Sequence, residues 1–242
     1  MQSAGRTGEE WIAEAQARLQ ERYGCLRCAG GPRLVPTIVI HPTLDPQEAE
    51  YFVRGLDNEI FSIDDEGYVQ STVLPPSRKS TRKKILSLFW RHGEQFRLFR
   101  EGVCQISTVA ALTLKYGCPL DQIQMEPTFP SRPDLPGAVD ILLKSPQGAA
   151  VAFIEVKRDD GELHQLIVGF QYCCEAGSHM KDACKFSRNH RKFELCVAIK
   201  PDYFMAVSPG QQTCFHLSYC GEVVAMAEVP VSSLLSKLRS WV

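Results

Sequence analysis

The chain has 242 residues, of which 44% are hydrophobic, and a chain of this length can bury a substantial core. Its 27 basic and 28 acidic residues nearly balance, which excludes a histone-like protein that binds nucleic acid through net charge. No apolar stretch approaches the roughly 18 residues of a transmembrane helix, and no basic segment followed by an apolar run marks a secretory signal. We therefore expect an intracellular protein, cytoplasmic or nuclear, with no membrane partner and with reduced thiols.

Residues 1–76 are predicted to form an accessory region, separated at Pro75-Pro76-Ser77 from a second domain, residues 77–242. This region can read substrate, bind a protein partner or cover the core, and the sequence leaves these alternatives open. Its predicted elements are a helix from a capping box at Thr7-Gly8-Glu9-Glu10 to about Tyr23, a helix that starts at Asp45-Pro46-Gln47-Glu48, and a hairpin of residues 59–63 and 68–74 around a turn at 64–67.

A long helix is predicted next. Residues 84–116 read largely as helix, because apolar side chains recur at spacings of three and four and Gly117 ends the pattern. The periodic apolar positions are Phe96, Phe99, Val103, Ile106, Ala110 and Leu114. Residues 123–129 follow as a predicted strand.

Two apolar runs that carry charges come after this strand. Residues 137–143 contain Asp140, residues 149–157 contain Glu155 and Lys157, and Ser145-Pro146-Gln147-Gly148 forms the turn between them. A carboxylate without a partner in a buried strand costs several kcal/mol, so these charges need compensation. A divalent cation is the partner that the pattern favours.

Strand geometry brings these side chains together. Glu155 and Lys157 share one face, because alternate residues of a strand point the same way. A tight hairpin centred near residues 146 and 147 would place Asp140 opposite about Phe153, one diagonal step from Glu155. Carboxylate oxygens without a nearby His or Cys favour Mg²⁺ or Mn²⁺ over zinc. Lys157 then stands beside the ion, where it can orient a water or stabilise charge on a phosphate.

The remaining chain is predicted as one helix followed by strands. These elements are a helix at 162–176 closed by Gly177 and strands at 193–199, 203–207, 214–219 and 222–229.

The residues resemble the PD-(D/E)xK nuclease superfamily, whose core is the restriction-endonuclease-like fold. Its signature is an Asp after a small-residue apolar lead-in and then an acid-x-Lys on the next strand. Gly137-Ala138-Val139-Asp140 and Glu155-Val156-Lys157 match it residue by residue. The order helix, three strands, helix, strand is also that of the family core, so the resemblance covers about residues 78–210. It implies an α/β protein with a central mixed sheet flanked by helices, to which residues 1–76 add an α+β appendage.

The resemblance also implies an activity: hydrolysis of nucleic-acid phosphodiester bonds with Mg²⁺ or Mn²⁺, with DNA favoured over RNA. Asp140, Glu155 and Val156 are the implied metal residues, and the backbone at Phe153-Ile154 is a further source of a carbonyl ligand. Lys157 is the implied catalytic amine.

Family members usually add an acid from the first helix, and here several residues compete. Glu101 is the first candidate, whereas the family's usual spacing points nearer Gln105, which departs from the pattern. Glu94 and Glu126 are the alternatives. Gln165-Leu166 resembles a Gln-Leu pair of recombination-type exonucleases in this superfamily, although the Tyr that usually follows is replaced by Val168. Gln171 with Tyr172 is the alternative to Gln165.

Basic residues cluster in two segments that flank the acidic pair. Two basic segments beside an acidic metal site suit a nuclease, because Lys and Arg attract phosphates; solvated loops and, for the first segment, a nuclear-localisation patch are the alternatives. The candidate nucleic-acid-binding residues are Arg78, Lys79, Arg82, Lys83 and Lys84 in the first segment and Lys185, Arg188 and Arg191 in the second.

The ten cysteines are interpreted as small buried hydrophobes rather than as metal ligands or disulfides. Cys25-Leu26-Arg27-Cys28 is a lone CxxC without a second pair at zinc-ribbon spacing.

Two other functions stay open beside the active nuclease. One is a nucleic-acid-binding module that keeps the fold without activity, suggested by the missing clear helix Glu. The other is a regulatory or interaction protein that works through residues 1–76.

Overall fold

A computed structural model of the chain describes residues 5–24, 37–41, 43–64, 67–74, 86–92, 95–135, 139–176, 184–221 and 223–239. It has mixed α/β architecture and divides into two compact units, Met1–Lys115 and Tyr116–Val242. The sequence instead predicts a boundary at residues 75–77, which lie outside the described residues.

The first unit combines three helices with short strands. Its elements are α1 (Gly8–Gly24), β1 (Thr37–Val39), α2 (Pro46–Asp57), β2 (Ser62–Ile63), β3 (Val69–Gln70), β4 (Phe89–His92), β5 (Gln95–Leu98) and α3 (Arg100–Leu114). Strands β1, β5 and β4 form one sheet in that order, and β2 pairs with β3.

Local signals predicted the first two helices, and the structure confirms them. In α1 the Thr7 N–H donates to Glu10 Oε2 at 2.6 Å, and the Glu10 N–H donates to Thr7 Oγ1 at 3.3 Å. In α2 Asp45 and Glu48 form the same reciprocal box, with Pro46 in the first turn. Each box accepts hydrogen bonds from backbone N–H groups that have no partner within the first turn of the helix. A short stretch of sequence therefore suffices to determine where the helix begins.

The predicted helix over residues 84–116 is wrong in its first half. Residues 89–92 and 95–98 form the antiparallel pair β4–β5, and helix α3 begins only at Arg100. Along these strands exposure varies from residue to residue: Phe89 and Leu98 are buried, whereas Trp90 and Arg97 are exposed. The helix prediction passed over Gly93, which interrupts the apolar pattern in the sequence.

Helix α3 belongs to the first unit because it packs closely on α2. A Cβ built at Gly55 of α2 would lie 2.3 Å from Phe61 Cε1 and 3.0 Å from the Ala110 Cβ of α3. Arg100, at the start of α3, is buried and donates to Glu48 Oε1 at 2.6 Å. This ion pair is therefore part of the interior of the first unit.

The second unit is built on a six-stranded mixed sheet. Its elements are β6 (Ile123–Met125), β7 (Ile141–Lys144), β8 (Ala150–Val156), α4 (Asp160–Ala176), α5 (Ser187–Ile199), β9 (Tyr203–Ser208), β10 (Gln211–Cys220), β11 (Val223–Val229) and α6 (Val231–Arg239). The strand order is β11-β10-β9-β8-β7-β6, and β8 with β9 is the parallel pair.

The hairpin β7–β8 has a different register from the predicted one. Leu142, not Asp140, stands opposite Phe153. A wider turn causes the difference: the Ser145 N–H donates to the Ala149 carbonyl at 2.8 Å, Gly148 takes a positive φ of 83°, and the pairing shifts after Leu143. The register thus differs by two residues from the predicted one. Because side chains alternate between faces, each side chain still lies on its predicted face of the sheet.

Helices α4 and α5 connect the parallel strands and cover one face of the sheet. The stacked rings of Phe170 in α4 and Phe204 in β9 have centroids 4.2 Å apart. The two helices approach closely at Gly169, where a Cβ would lie 2.1 Å from Asn189 Nδ2 and 3.0 Å from Phe186 Cδ1. This apolar layer fixes α5 against the strands that carry the predicted site.

The segment predicted as a strand at residues 193–199 is the second half of helix α5. His190, Phe193 and Cys196 are buried at a spacing of three, which is helical, but the dense apolar content of the segment suggested a strand. The strands predicted around β9, β10 and β11 and the helix predicted around α4 are confirmed.

Within the described part of the chain, no helix combines the length and apolar character needed to cross a membrane.

The contact at Gly55 gives a test of the packing between α2 and α3. We expect Gly55→Ala to destabilise the protein by about 1–3 kcal/mol, because the added methyl group overlaps the Phe61 ring and this outweighs the gain in helix propensity. Gly161→Ala, at an exposed position of α4, is the matched control and should be neutral or slightly stabilising. Chemical denaturation measures both, and equal effects would contradict the close packing.

Candidate functional site

Glu155 is a buried carboxylate near the end of the central strand β8, with 4% of its surface exposed. Its Oε1 accepts from Lys157 Nζ and from Lys192 Nζ, each at 3.0 Å. Its Oε2 is also buried and has no hydrogen-bond partner among the described residues. One oxygen is thus held by two ammonium groups, while the other still requires a partner, because a buried unpaired carboxylate oxygen is costly.

Asp140 lies directly before β7, whose first residue, Ile141, pairs with Ile154 of β8, and extending this register by one residue places Asp140 opposite Glu155. Its Oδ2 accepts the backbone N–H of Val156 at 2.7 Å. Its own carbonyl accepts the N–H of Glu126 at 2.8 Å. These bonds hold the aspartate at the same end of the sheet as Glu155.

Lys157 follows β8 and is half-buried. Its backbone N–H donates to the Val207 carbonyl of β9 at 2.8 Å, which continues the parallel pairing. Its Nζ donates to Glu155 Oε1 and to the Val156 carbonyl at 2.6 Å. The ammonium group is therefore bound to the strand end from which it projects, and Val156, a predicted metal residue, here offers its carbonyl to Lys157.

The charges of this site balance. Asp140 and Glu155 contribute two negative charges, and Lys157 and Lys192 contribute two positive charges. The Lys192 side chain is 12% exposed and that of Lys157 18%, so both amines lie in a poorly solvated environment. In such an environment each ion pair is stronger than at the surface, and the loss of one partner is correspondingly costly.

The structure separates the candidates for the third acid. Glu126 lies beside Asp140 in the second unit and has a left-handed backbone with φ of 45°. Glu101 and Gln105 lie in α3 of the first unit, where Glu101 is half-buried and Gln105 is buried. Glu94 lies outside the described residues.

The amide candidates lie on α4. Gln165 is exposed, and the Leu166 beside it belongs to the buried core. Gln171 is half-buried, and Tyr172 is exposed with its ring against that of Phe186.

The predicted basic residues are described only in the second segment. Lys185 and Arg188 are exposed, and Lys185 Nζ lies 5.4 Å from the centroid of the Phe186 ring. Arg191 is half-buried. Residues 78–84, with the first group of candidates, lie outside the described residues.

Lys192 is a site residue that the sequence analysis did not select. It directly precedes residues 193–199, which were predicted as a strand, whereas in helix α5 it faces Glu155. A helical pattern that includes His190, Phe193 and Cys196 would have given the signal, since Lys192 and Cys196 are four residues apart and share a helix face.

We found no protein-family model, curated protein or solved structure that matches the chain.

The contact between Lys192 and Glu155 can be measured with a double-mutant cycle. We expect Lys192→Met to lower the free energy of unfolding by about 1–3 kcal/mol, because it removes a charged hydrogen bond from a buried carboxylate. In a Glu155→Gln background the same change should cost at least about 1 kcal/mol less. Arg188→Met, at an exposed position of the same helix, is the control. Equal costs of Lys192→Met in both backgrounds would exclude the coupling.

Proposed function

We propose that this protein is a metal-dependent nuclease that hydrolyses phosphodiester bonds of nucleic acid, DNA rather than RNA, on a restriction-endonuclease-like core. The observation that carries the proposal is the buried Glu155 Oε2, which has no hydrogen-bond partner among the described residues and lies at the strand end opposite Asp140. A hard divalent cation is a partner that suits this oxygen.

The residues present fit such an ion. Asp140 and Glu155 supply carboxylate oxygens, which Mg²⁺ and Mn²⁺ prefer, whereas the Val156 carbonyl accepts from Lys157 Nζ and would have to release it to bind an ion. Mg²⁺ keeps several waters when bound, so two protein carboxylates are an adequate set. When bound, the ion polarises the phosphate and lowers the pKa of a coordinated water.

The two lysines have different roles in the proposal. Lys192 and Lys157 both bind Glu155 Oε1, which orients the carboxylate so that Oε2 is left for another partner. Lys157 has an additional role in the proposal: its Nζ holds a water for attack or lies against the phosphate as negative charge develops. Lys192 is a positioning residue that holds Glu155.

The order of elements supports the proposed core. Strands β6, β7 and β8, helix α4 and strand β9 follow the order three strands, helix, strand, apart from the added helix α5, whereas the helix that precedes them in the chain, α3, belongs to the first unit. The Asp and the Glu-x-Lys stand at the same end of the antiparallel pair β7–β8, as the resemblance requires.

Exposed cations supply an approach for phosphates. Lys185 precedes α5 and Arg188 lies in its first turn, on the same helix as Lys192. In the proposal they contact the nucleic-acid backbone, which makes binding dependent on salt and largely independent of sequence.

A second candidate function is a binding module without catalysis. It is favoured by the ion pairs of the site, since two lysines already bind Glu155 without an ion. Among the described residues, no three acids bring their oxygens within metal-binding distance of one another.

Cleavage assays separate the two functions. The substrates are plasmid DNA, linear DNA, single-stranded DNA and RNA, each with Mg²⁺ or Mn²⁺. Each is incubated separately with the wild type and with the variants Asp140→Asn, Glu155→Gln and Lys157→Met. We expect the wild type to cut DNA and each variant to lose about 10²-fold or more in rate, since each removes a charge from the reacting centre. Asp159→Asn, at an exposed acid near the site, is the control and should keep full activity. Salt-sensitive binding without cleavage would support the binding module instead, and the absence of both would contradict both functions.

Metal binding has a readout that does not depend on activity. We expect Mn²⁺ to raise the Tm of the wild type, because a ligand that binds the folded state stabilises it, and to raise the Tm of Asp140→Asn much less. Thermal denaturation with and without Mn²⁺ measures this difference. Equal Mn²⁺ responses of wild type, Asp140→Asn and Glu155→Gln would contradict the site.

A further inference from the structure

A second set of potential ligands lies where α4 approaches α5. Cys173 is in the last turns of α4, Cys184 precedes α5, and His190 is in the first turn of α5. All three side chains are buried, and one ligand atom from each lies within 4.8 Å of the other two. We call these three residues the thiol–imidazole cluster. It shares no residue with the pair Asp140 and Glu155.

The sulfur distance in this cluster fits metal coordination. Cys173 Sγ and Cys184 Sγ are 3.8 Å apart. Two thiolates at zinc-ligand distance, about 2.3 Å, and a tetrahedral angle are also about 3.8 Å apart. A disulfide would require about 2.05 Å. The two sulfurs are thus placed as neighbouring corners of a tetrahedron, with an imidazole nitrogen in reach of both.

We propose that Cys173, Cys184 and His190 bind a zinc ion, with the fourth coordination position open to a water or another small donor. Two thiolates and one imidazole are ligands of a soft or borderline cation and disfavour Mg²⁺ and Mn²⁺. Binding replaces two S–H bonds with two Zn–S bonds and releases two protons to solvent, so charge and atoms balance.

The surroundings of the cluster agree with thiolate ligation. The Phe186 N–H donates to Cys184 Sγ at 3.3 Å, a contact that stabilises a negatively charged sulfur. His190 Nε2 lies 4.0 Å from Glu194 Oε1, and a carboxylate next to a ligating imidazole orients its ring.

The position of the ion would have a consequence for the rest of the unit. It would tie the end of α4 to the start of α5, and Lys192 lies two residues after His190 in that helix. A zinc ion there would therefore help to hold the lysine that binds Glu155, although it takes no part in the proposed phosphodiester chemistry.

Metal content and Co²⁺ substitution test the proposal on the intact 242-residue chain. The wild type, purified from zinc-supplemented medium and dialysed, should contain about one zinc per chain. Co²⁺ in its place should give thiolate-to-cobalt charge-transfer absorption and the intense d–d bands of a tetrahedral site. Chelation of the metal should lower the Tm.

Variants locate the ion. Cys184→Ser and His190→Ala should lose most of the zinc, whereas Cys214→Ala, which removes a buried thiol of β10, should keep it. Cys25→Ala/Cys28→Ala should also keep it, which excludes the CxxC as its ligand, and Asp140→Asn should keep it, which separates this site from the proposed nuclease site. If the cluster variants do not fold, the cobalt spectrum of Cys25→Ala/Cys28→Ala decides the question.

Three results would overturn the proposal. They are the absence of thiolate charge-transfer bands in wild type and Cys25→Ala/Cys28→Ala, full retention of zinc by Cys184→Ser and His190→Ala, and a Cys173–Cys184 disulfide in protein purified without oxidant.

Discussion

The candidate site depends on one buried negative charge. Glu155 lies at the end of the central strand, shielded from water, and only nearby cations make that position tolerable. Lys157 comes from the same strand, and Lys192 comes from a helix that packs on the sheet. Both amines bind Oε1, so the carboxylate has a fixed orientation. Its other oxygen, Oε2, is buried and has no hydrogen-bond partner among the described residues. The sheet, the covering helices and any chemistry at this strand end are linked through that single group.

The segment after the Glu-x-Lys motif therefore contributes as much to the site as the motif does. Gly169 lets α4 and α5 approach closely, and Phe170 and Phe193 belong to the apolar layer between these helices and the sheet. The thiol–imidazole cluster lies at the same helix junction. Packing, proposed metal ligation and ion pairing thus all act on helix α5, and each affects the position of Lys192. The motif lies on two strands, whereas the site consists of two strands and a helix.

Sequence predicted the features that local chemistry determines. The helix starts at Thr7 and Asp45 need only neighbouring residues, and the apolar runs around Asp140 and Glu155 have strand character by themselves. The predictions that failed depend on turn geometry, on contacts between distant residues, or on patterns that suit both a strand and a helix. The turn at Ser145–Ala149 set a register that alternation alone leaves open, and residues 193–199 are apolar enough to suit a strand or a helix. Lys192 was missed for the same reason, because its partner is 37 positions away in the sequence and became evident only with α5 in place.

The parallel pairing of β8 with β9 has a consequence for the time course of folding. The two strands pair Val156 with Val207, and the connection between them passes through both covering helices. Parallel strands separated by so many residues pair slowly. Closing the long connection costs conformational entropy before any contact between the strands forms. During synthesis, β8 therefore keeps one unpaired edge until β9 has left the ribosome. The edge of the strand that carries Glu155 is thus completed only after the chain well beyond the site has been made.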